Sequence, residues 1–273
     1  MTSHTLRVPG ASLHYAIRGT GPLLLISQSG EGDADRTTDL VDRLADEYTV
    51  VTYDRRGLSR STVGDPGAGV TVQQHADDVH RLLAHLTEKP AIMLGQSLGA
   101  TIGLHLAVRH PEQLSLLIAH EPVAPWLLPP AEQARHRAEL TEVRDRYLDG
   151  GLAAAVAEIP RVLGITADAE PDLTPQPMTL RRQANFDFFL RYDFPAVIQD
   201  ELDLSGCRTP IVPAAGRGTP STVFDRRCAV ELAKRLGTEL AELPGGHNGN
   251  TSHPRAYAAS LRELLRVSTG WRP

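Results

Sequence analysis

The stretch 91–108 leaves this chain little freedom. Four apolar residues, Ala91-Ile92-Met93-Leu94, run through Gly95-Gln96-Ser97-Leu98-Gly99 straight into 98–108, which is apolar on nearly every side. A short continuous apolar run reads as a buried strand, and a segment apolar all round reads as a helix packed inside a larger structure. With no loop between them, the helix has to fold back onto the sheet that holds the strand. The turn itself is G-x-S-x-G in the strand–turn–helix setting that gives this pattern its meaning. So sharp a turn forces the serine into strained backbone angles, and small neighbours two positions either side avoid clashes. The Ser97 hydroxyl then stands at the carboxyl edge of the sheet, over a helix N-terminus.

The same alternation runs through the chain. Segments 13–17, 23–26, 49–53, 114–119, 210–215 and 239–243 read as strands, and 35–47, 71–86, 98–108 and 223–236 as helices. A last helix is predicted over 254–266, with Pro254 suited to its first turn. Strands alternating with helices argue for a mostly parallel sheet covered on both faces. Between 122 and 205 the pattern breaks: 135–148, 152–162 and 178–192 read as helices, no strand is convincing, and 170–177, with Pro171, Pro175 and Pro177, reads as a loop. An insertion of roughly 80 residues is too long for a plain loop. The expectation is one α/β core, 1–121 and 206–273, interrupted by a helical unit, 122–205.

The chain has 273 residues, of which 41 % are apolar and 22 % charged, with a net charge of −5. These fractions exclude a disordered chain, a fibre and a coiled coil. No Lys/Arg block marks a nucleic-acid or anionic-membrane surface. No apolar run approaches the roughly 20 residues a membrane helix needs, and the opening residues lack the pattern of a secretory signal. Two cysteines, Cys207 and Cys228, build no disulfide framework and are expected as reduced thiols, so a cytoplasmic location is expected. G-x-x-x-x-G-K-[ST], G-x-G-x-x-G after a strand, H-E-x-x-H and C-x-x-C are all missing. No metal or nucleotide cofactor is therefore expected.

A serine nucleophile needs a base. Of the 11 histidines, His75, His80 and His85 step by five along one helix, which spreads them around it, and His105 and His110 do the same. His14 falls in a strand. His247 alone lies in a glycine-rich loop, Gly245-Gly246-His247-Asn248, just beyond the last predicted strand. The carboxyl edge of that strand would bring it toward Ser97.

Together these features resemble the α/β-hydrolases that carry a helical cap. The resemblance rests on the turn 95–99, on Tyr53-Asp54-Arg55-Arg56-Gly57-Leu58-Ser59-Arg60-Ser61, on His110-Pro111 and on Pro244-Gly245-Gly246-His247, and it covers nearly the whole chain. It implies an eight-stranded, mostly parallel α/β-hydrolase sheet with helices on both faces and a cap at 122–205. It also implies a triad in the chain order serine, acid, histidine. The family usually carries the acid in the turn after the strand that follows the cap. Here that turn, Gly216-Arg217-Gly218-Thr219-Pro220, has none, and the next acid, Asp225, is expected to belong to the following helix. Some members place the acid at the end of the strand before the cap, where this chain has Ala119-His120-Glu121-Pro122. Glu121 is therefore the expected third member, ahead of Asp225. The alternative role for Glu121 is to bond backbone amides and hold the hinge of the insertion.

A second departure lies in the loop after 23–26, which reads Ser27-Gln28-Ser29-Gly30-Glu31-Gly32-Asp33 where the family often has His-Gly. One oxyanion donor is expected to be the amide of Leu98. The other is an amide of this loop: Ser29 when aligned from its strand, Gln28 or Gly30 with an offset of one. Glu31, an anion near an oxyanion site, is expected to face solvent or to pair with an arginine.

The resemblance implies two-step acyl transfer on a small ester, thioester or lactone: Ser97 attacks, His247 takes its proton, and water then releases the acyl group. Because position 97 is serine, the aspartyl-ester chemistry of epoxide hydrolases and haloalkane dehalogenases is not expected. Trp126, Phe186, Phe188, Phe189 and Tyr192 are candidate pocket walls. The only expected partner is a small-molecule substrate, and a homodimer is left open. Two rivals remain at this point: a lyase, cyclase or C–C bond enzyme on the same scaffold, and a non-catalytic ligand receptor.

Overall fold

The computed structural model describes residues 2–171, 173 and 176–270; Pro175 lies outside them. Its strands are β1 (Thr2–Val8), β2 (Ala11–Arg18), β3 (Leu23–Ser27), β4 (Thr49–Tyr53), β5 (Thr62–Val63), β6 (Ala91–Gln96), β7 (Leu114–His120), β8 (Ile211–Gly216) and β9 (Ala241–Leu243). They form one sheet in the order β1-β2-β4-β3-β6-β7-β8-β9, with β5 paired to β2. Strand β2 is antiparallel to β1, β4 and β5. Every pairing from β4 across to β9 is parallel. The expectation of eight strands is met by the main path, and the two-residue β5 is a ninth. Strand β1 was not readable in advance, because it is exposed along most of its length and so shows no apolar alternation.

The helices are α1 (Thr38–Leu44), α2 (Val72–Leu86), α3 (Leu98–Arg109), α4 (Pro130–Val162), α5 (Leu180–Phe188), α6 (Phe194–Ile198), α7 (Phe224–Leu236), α8 (Gly249–Ser252) and α9 (Pro254–Thr269). Thr71 opens α2 by accepting a hydrogen bond from the amide of Gln74 at 3.1 Å, which satisfies one of the helix's orphan donors. The parallel strands send successive side chains to opposite faces. Leu24 and Ile26 of β3 pack with Leu40 and Leu44 of α1 and with Leu261 and Leu265 of α9. Leu25, between them, packs in the other layer with Val79 of α2 and Ile102 of α3. Both faces are therefore covered, as a parallel sheet requires.

Between β7 and β8 the described residues contain no strand. The two helices expected at 135–148 and 152–162 are both present: the run α4 is broken between them at Gly151, whose φ of 74° and ψ of −173° are not helical. The helix expected to end at Tyr192 runs on. After α5, a π turn (Phe189–Asp193) leads into α6, where Pro195 is tolerated because it falls in the first turn. Among the described residues, no helix is long and apolar enough to cross a membrane.

The register fixes which residues meet at the carboxyl edge. Ser27 pairs with Gly95, Gln96 with His120, His120 with Ala214 and Gly216 with Leu243. The residues that follow β3, β6, β7 and β8 therefore leave the sheet side by side.

Candidate active site

Ser97 leaves β6 with φ 55° and ψ −118°, a backbone conformation costly for any residue with a side chain. A Cβ added to Gly99 would lie 2.1 Å from the Ser27 carbonyl oxygen, and one on Gly95 2.5 Å from that of Gly99. Both positions have to be glycine for the turn to close. The Ser97 amide is anchored to the His120 carbonyl at 2.9 Å. Leu98 is the first residue of α3, so its amide is one of the helix's unbonded donors. Ser97 borders a cavity of about 130 Å³, which Gln28, Ser29, Gly30 and His247 also line.

His247 is buried, and so are two carboxylates beside it. Its Nδ1–H donates to Glu121 Oε2 at 2.8 Å. Glu121 follows β7 in a left-handed conformation, φ 46°, and its other oxygen accepts the Gly216 amide at 2.9 Å. Glu121 thus makes both contacts weighed for it, one to the histidine and one to the backbone. Asp225 also reaches the histidine: its Oδ2 makes a very short contact with the same Nδ1. It lies in the first turn of α7, as expected, and from there it still reaches His247. The seven residues after β8 carry the chain back over the sheet edge and set that first turn above it. The signal that could have found it is the first turn of a helix after a strand of the same sheet, where a side chain can still reach the edge.

The three groups share one small volume, with their ligating atoms within 4.8 Å of one another. Burial alone would lower His247, but the two carboxylates, Asp225 foremost, outweigh it and raise the imidazole to about 10. Burial works against ionising Glu121, but the hydrogen bond from His247 and the nearby positive charge hold it down at about 2. Burial dominates at Asp225 and pushes it up to about 6, although the imidazolium opposes this. Two carboxylates therefore face one N–H, and among the described residues His247 is the only cationic partner of either. A His-Asp-Glu set can in principle ligate a metal. Here the histidine nitrogen that faces the acids is the one hydrogen-bonded to Glu121, which fits a proton relay.

Beneath the serine, Gln96 donates to the Tyr257 hydroxyl at 3.0 Å and accepts from Asn250. Glu31 does not meet the oxyanion loop as a bare anion. It pairs with Arg36 at 2.8 Å and with Arg182 of α5 at 2.6 Å. Of the aromatic candidates, Phe186 and Phe189 line the cavity, joined by Phe194, which the sequence reading did not single out. Trp126 is instead buried with its Nε1 donating to Asp200 at 3.0 Å, and Phe188 packs against Tyr192 at 4.8 Å between ring centres.

A parallel sheet with a strained serine turn at its carboxyl edge, and a buried histidine–carboxylate group beside that serine, define the class. The comparisons agree with it. A model of the alpha/beta hydrolase fold matches residues 22–159. An "Uncharacterized hydrolase YraK" of Bacillus subtilis (strain 168) is 37 % identical over 269 residues, 96 % of this chain and 95 % of that protein. A "Zearalenone hydrolase" of Cladophialophora bantiana is 27 % identical, covering 97 % of each chain. The solved structure of a hydrolase from Pseudomonas aeruginosa PA01 superposes with a TM-score of 0.71 at 26 % identity, over 96 % of this chain and 98 % of that one. The chain belongs to the α/β-hydrolase fold family.

Proposed function

We propose that the protein is a carboxylesterase-like serine hydrolase that cleaves a small ester, thioester or lactone through an acyl-enzyme on Ser97. The observation that carries this reading is the strained Ser97 turn opening on the same cavity as His247, whose Nδ1 meets buried carboxylates. His247 Nε2 takes the Ser97 proton as Oγ attacks the carbonyl carbon. The tetrahedral oxyanion rests on the Leu98 amide and on an amide of the loop after β3, Ser29 first. The imidazolium returns its proton to the leaving oxygen or sulfur. His247 then takes a proton from water as it attacks the acyl carbonyl, and the imidazolium returns that proton to Ser97 Oγ as the acyl–oxygen bond breaks and the acid leaves. Glu121 holds the tautomer and stabilises the imidazolium. The helical segment between β7 and β8 acts as a cap, and its Leu140, Val143, Ile159 and Phe186 give the acyl side an apolar wall.

The test pairs a fluorophosphonate with intact-mass measurement and turnover of p-nitrophenyl butyrate. One adduct per chain, absent from Ser97→Ala, together with turnover, supports the reading. No adduct on the folded protein would refute it. An adduct with no turnover on any activated ester would favour the lyase or cyclase reading instead.

A further inference from the structure

We propose that Arg55 is a positioning residue for the oxyanion loop, and that Asp193 of the cap segment locks it, so the oxyanion site is complete only when the cap is seated. The inference rests on the serine-hydrolase reading above. Arg55 and Asp193 are 1 % and 0 % exposed. The guanidinium donates to three successive carbonyls of the loop: Gln28 at 3.2 Å, Ser29 at 2.5 Å and Gly30 at 2.7 Å. In a trans peptide the N–H points opposite to the C=O of the same plane. Pulling the Gln28 and Ser29 carbonyls toward Arg55 therefore turns the Ser29 and Gly30 amides the other way. Ser29 and Gly30 line the cavity with Ser97, whereas Arg55 does not. Arg55 thus fixes the direction of the candidate second oxyanion donor from behind.

Arg55 does not hold this pose alone. Its Nε and Nη2 both donate to Asp193 Oδ2, at 3.3 and 2.9 Å. The other oxygen, Oδ1, meets His75 Nε2 of α2 at 3.1 Å. Asp193 belongs to the π turn between α5 and α6, far along the chain from the loop. Burial works against an ionised Asp193, but His75 and Arg55 outweigh it and keep its carboxyl low. Arg56, the neighbouring arginine, makes an equally buried pair with Asp78 at 2.6 Å, and that pair does not touch the loop. It serves as an internal control.

The test compares Asp193→Asn, Arg55→Lys and Asp78→Asn with the wild type, on p-nitrophenyl butyrate and on a trifluoromethyl ketone that forms an oxyanion adduct with the serine. Asp193→Asn is expected to lower kcat by about 10- to 100-fold, with KM changed by less than about threefold. The inhibition constant of the ketone should rise in proportion to the loss in kcat/KM. Arg55→Lys keeps the charge but not the three-way reach, and should show the same signature. Asp78→Asn should lower the melting temperature and leave kcat per folded molecule unchanged. Equal losses of kcat in Asp78→Asn and Asp193→Asn, or ketone affinity unmoved by Asp193→Asn, would overturn the proposal. Wild-type protein that forms no ketone adduct at all would instead count against the serine-hydrolase reading. If Arg55→Lys does not fold, Asp193→Asn decides.

Discussion

Asp225→Asn is expected to make the enzyme work at lower pH. General-base catalysis needs neutral His247, yet two buried carboxylates stabilise its imidazolium and raise it to about 10. Of the two, Asp225 contributes more. A pair of unit charges about 4 Å apart, at an effective dielectric constant of about 20, interacts by about 4 kcal/mol. At about 1.4 kcal/mol per unit, that is worth about three pK units. Removing Asp225's charge then brings His247 from about 10 toward about 7. The base-competent fraction at neutral pH rises from about one molecule in a thousand to about a half. Glu121 still holds Nδ1 at 2.8 Å, so the ring keeps its orientation.

The assay is kcat/KM for p-nitrophenyl butyrate across the range from about pH 5.5 to about pH 10, with Ser97→Ala subtracting the uncatalysed reaction. The profile reports the ionisation of the free enzyme. The wild-type rate should climb through the alkaline range, and the variant's rising limb should lie one to about three pH units lower. The two should converge at high pH, where His247 is neutral in both. A limb at the same pH in both proteins would refute the electrostatic argument. A variant dead at every pH, with Glu121→Gln active, would make Asp225 the carboxylate the base depends on.

Other expectations follow from single contacts. Ser97→Ala and His247→Ala should each remove several orders of magnitude of kcat, and the double variant little more, because the pair acts as one unit; additive losses would mean separate roles. Glu121→Gln should lower kcat markedly with KM little changed, read in steady-state kinetics at the optimum of the variant's own pH profile. Gly99→Ala should fail to give a correctly folded turn, since its Cβ would lie 2.1 Å from a backbone oxygen; full activity in that variant would show that the turn tolerates a side chain. Burial lowers His120 to about 4, and among the described residues neither of its ring nitrogens has a hydrogen-bond partner. The unfolded chain therefore takes up this proton first: the stability it costs is absent above about pH 6.5 and grows as pH falls toward 4, to about 3 kcal/mol. His120→Leu should flatten the fall in denaturation midpoint over that window.

The core was legible where burial writes a periodic signal. Leu24-Leu25-Ile26 and Val50-Val51 are buried on both faces, and such strands announce themselves as continuous apolar runs. Ser97 was legible because its turn demands glycine on both sides, and His247 because it follows the last strand in a glycine-rich loop. Strand β1 was not, since most of its side chains face solvent and its place is set by backbone pairing. Asp225's approach to His247 was not either. It depends on how far the loop after β8 carries the start of α7 back over the sheet edge, a three-dimensional distance with no sequence period.

Backbone strain ties these pieces together. Among the described residues, three that are not glycine take positive φ: Ser59, Ser97 and Glu121. Each such residue costs about 1–3 kcal/mol and persists only where its surroundings over-determine it. Ser97 is held by its amide bond to β7 and by the glycines beside it. Glu121 is held by its amide bond to the Ala214 carbonyl at 2.9 Å, by the Gly216 amide and by His247. Ser59 is held from the helical segment between β7 and β8: Asn185 of α5 accepts its amide hydrogen and donates to its hydroxyl, both at 2.8 Å. The strained positions thus mark the proposed nucleophile, the carboxylate that meets His247 and a contact with the helical segment between β7 and β8. Ser59 belongs to the same segment, 54–61, that supplies Arg55. A fold that spends stability at these three points, and not along its solvent-facing loops, has concentrated its strain where the proposed chemistry and its cover meet.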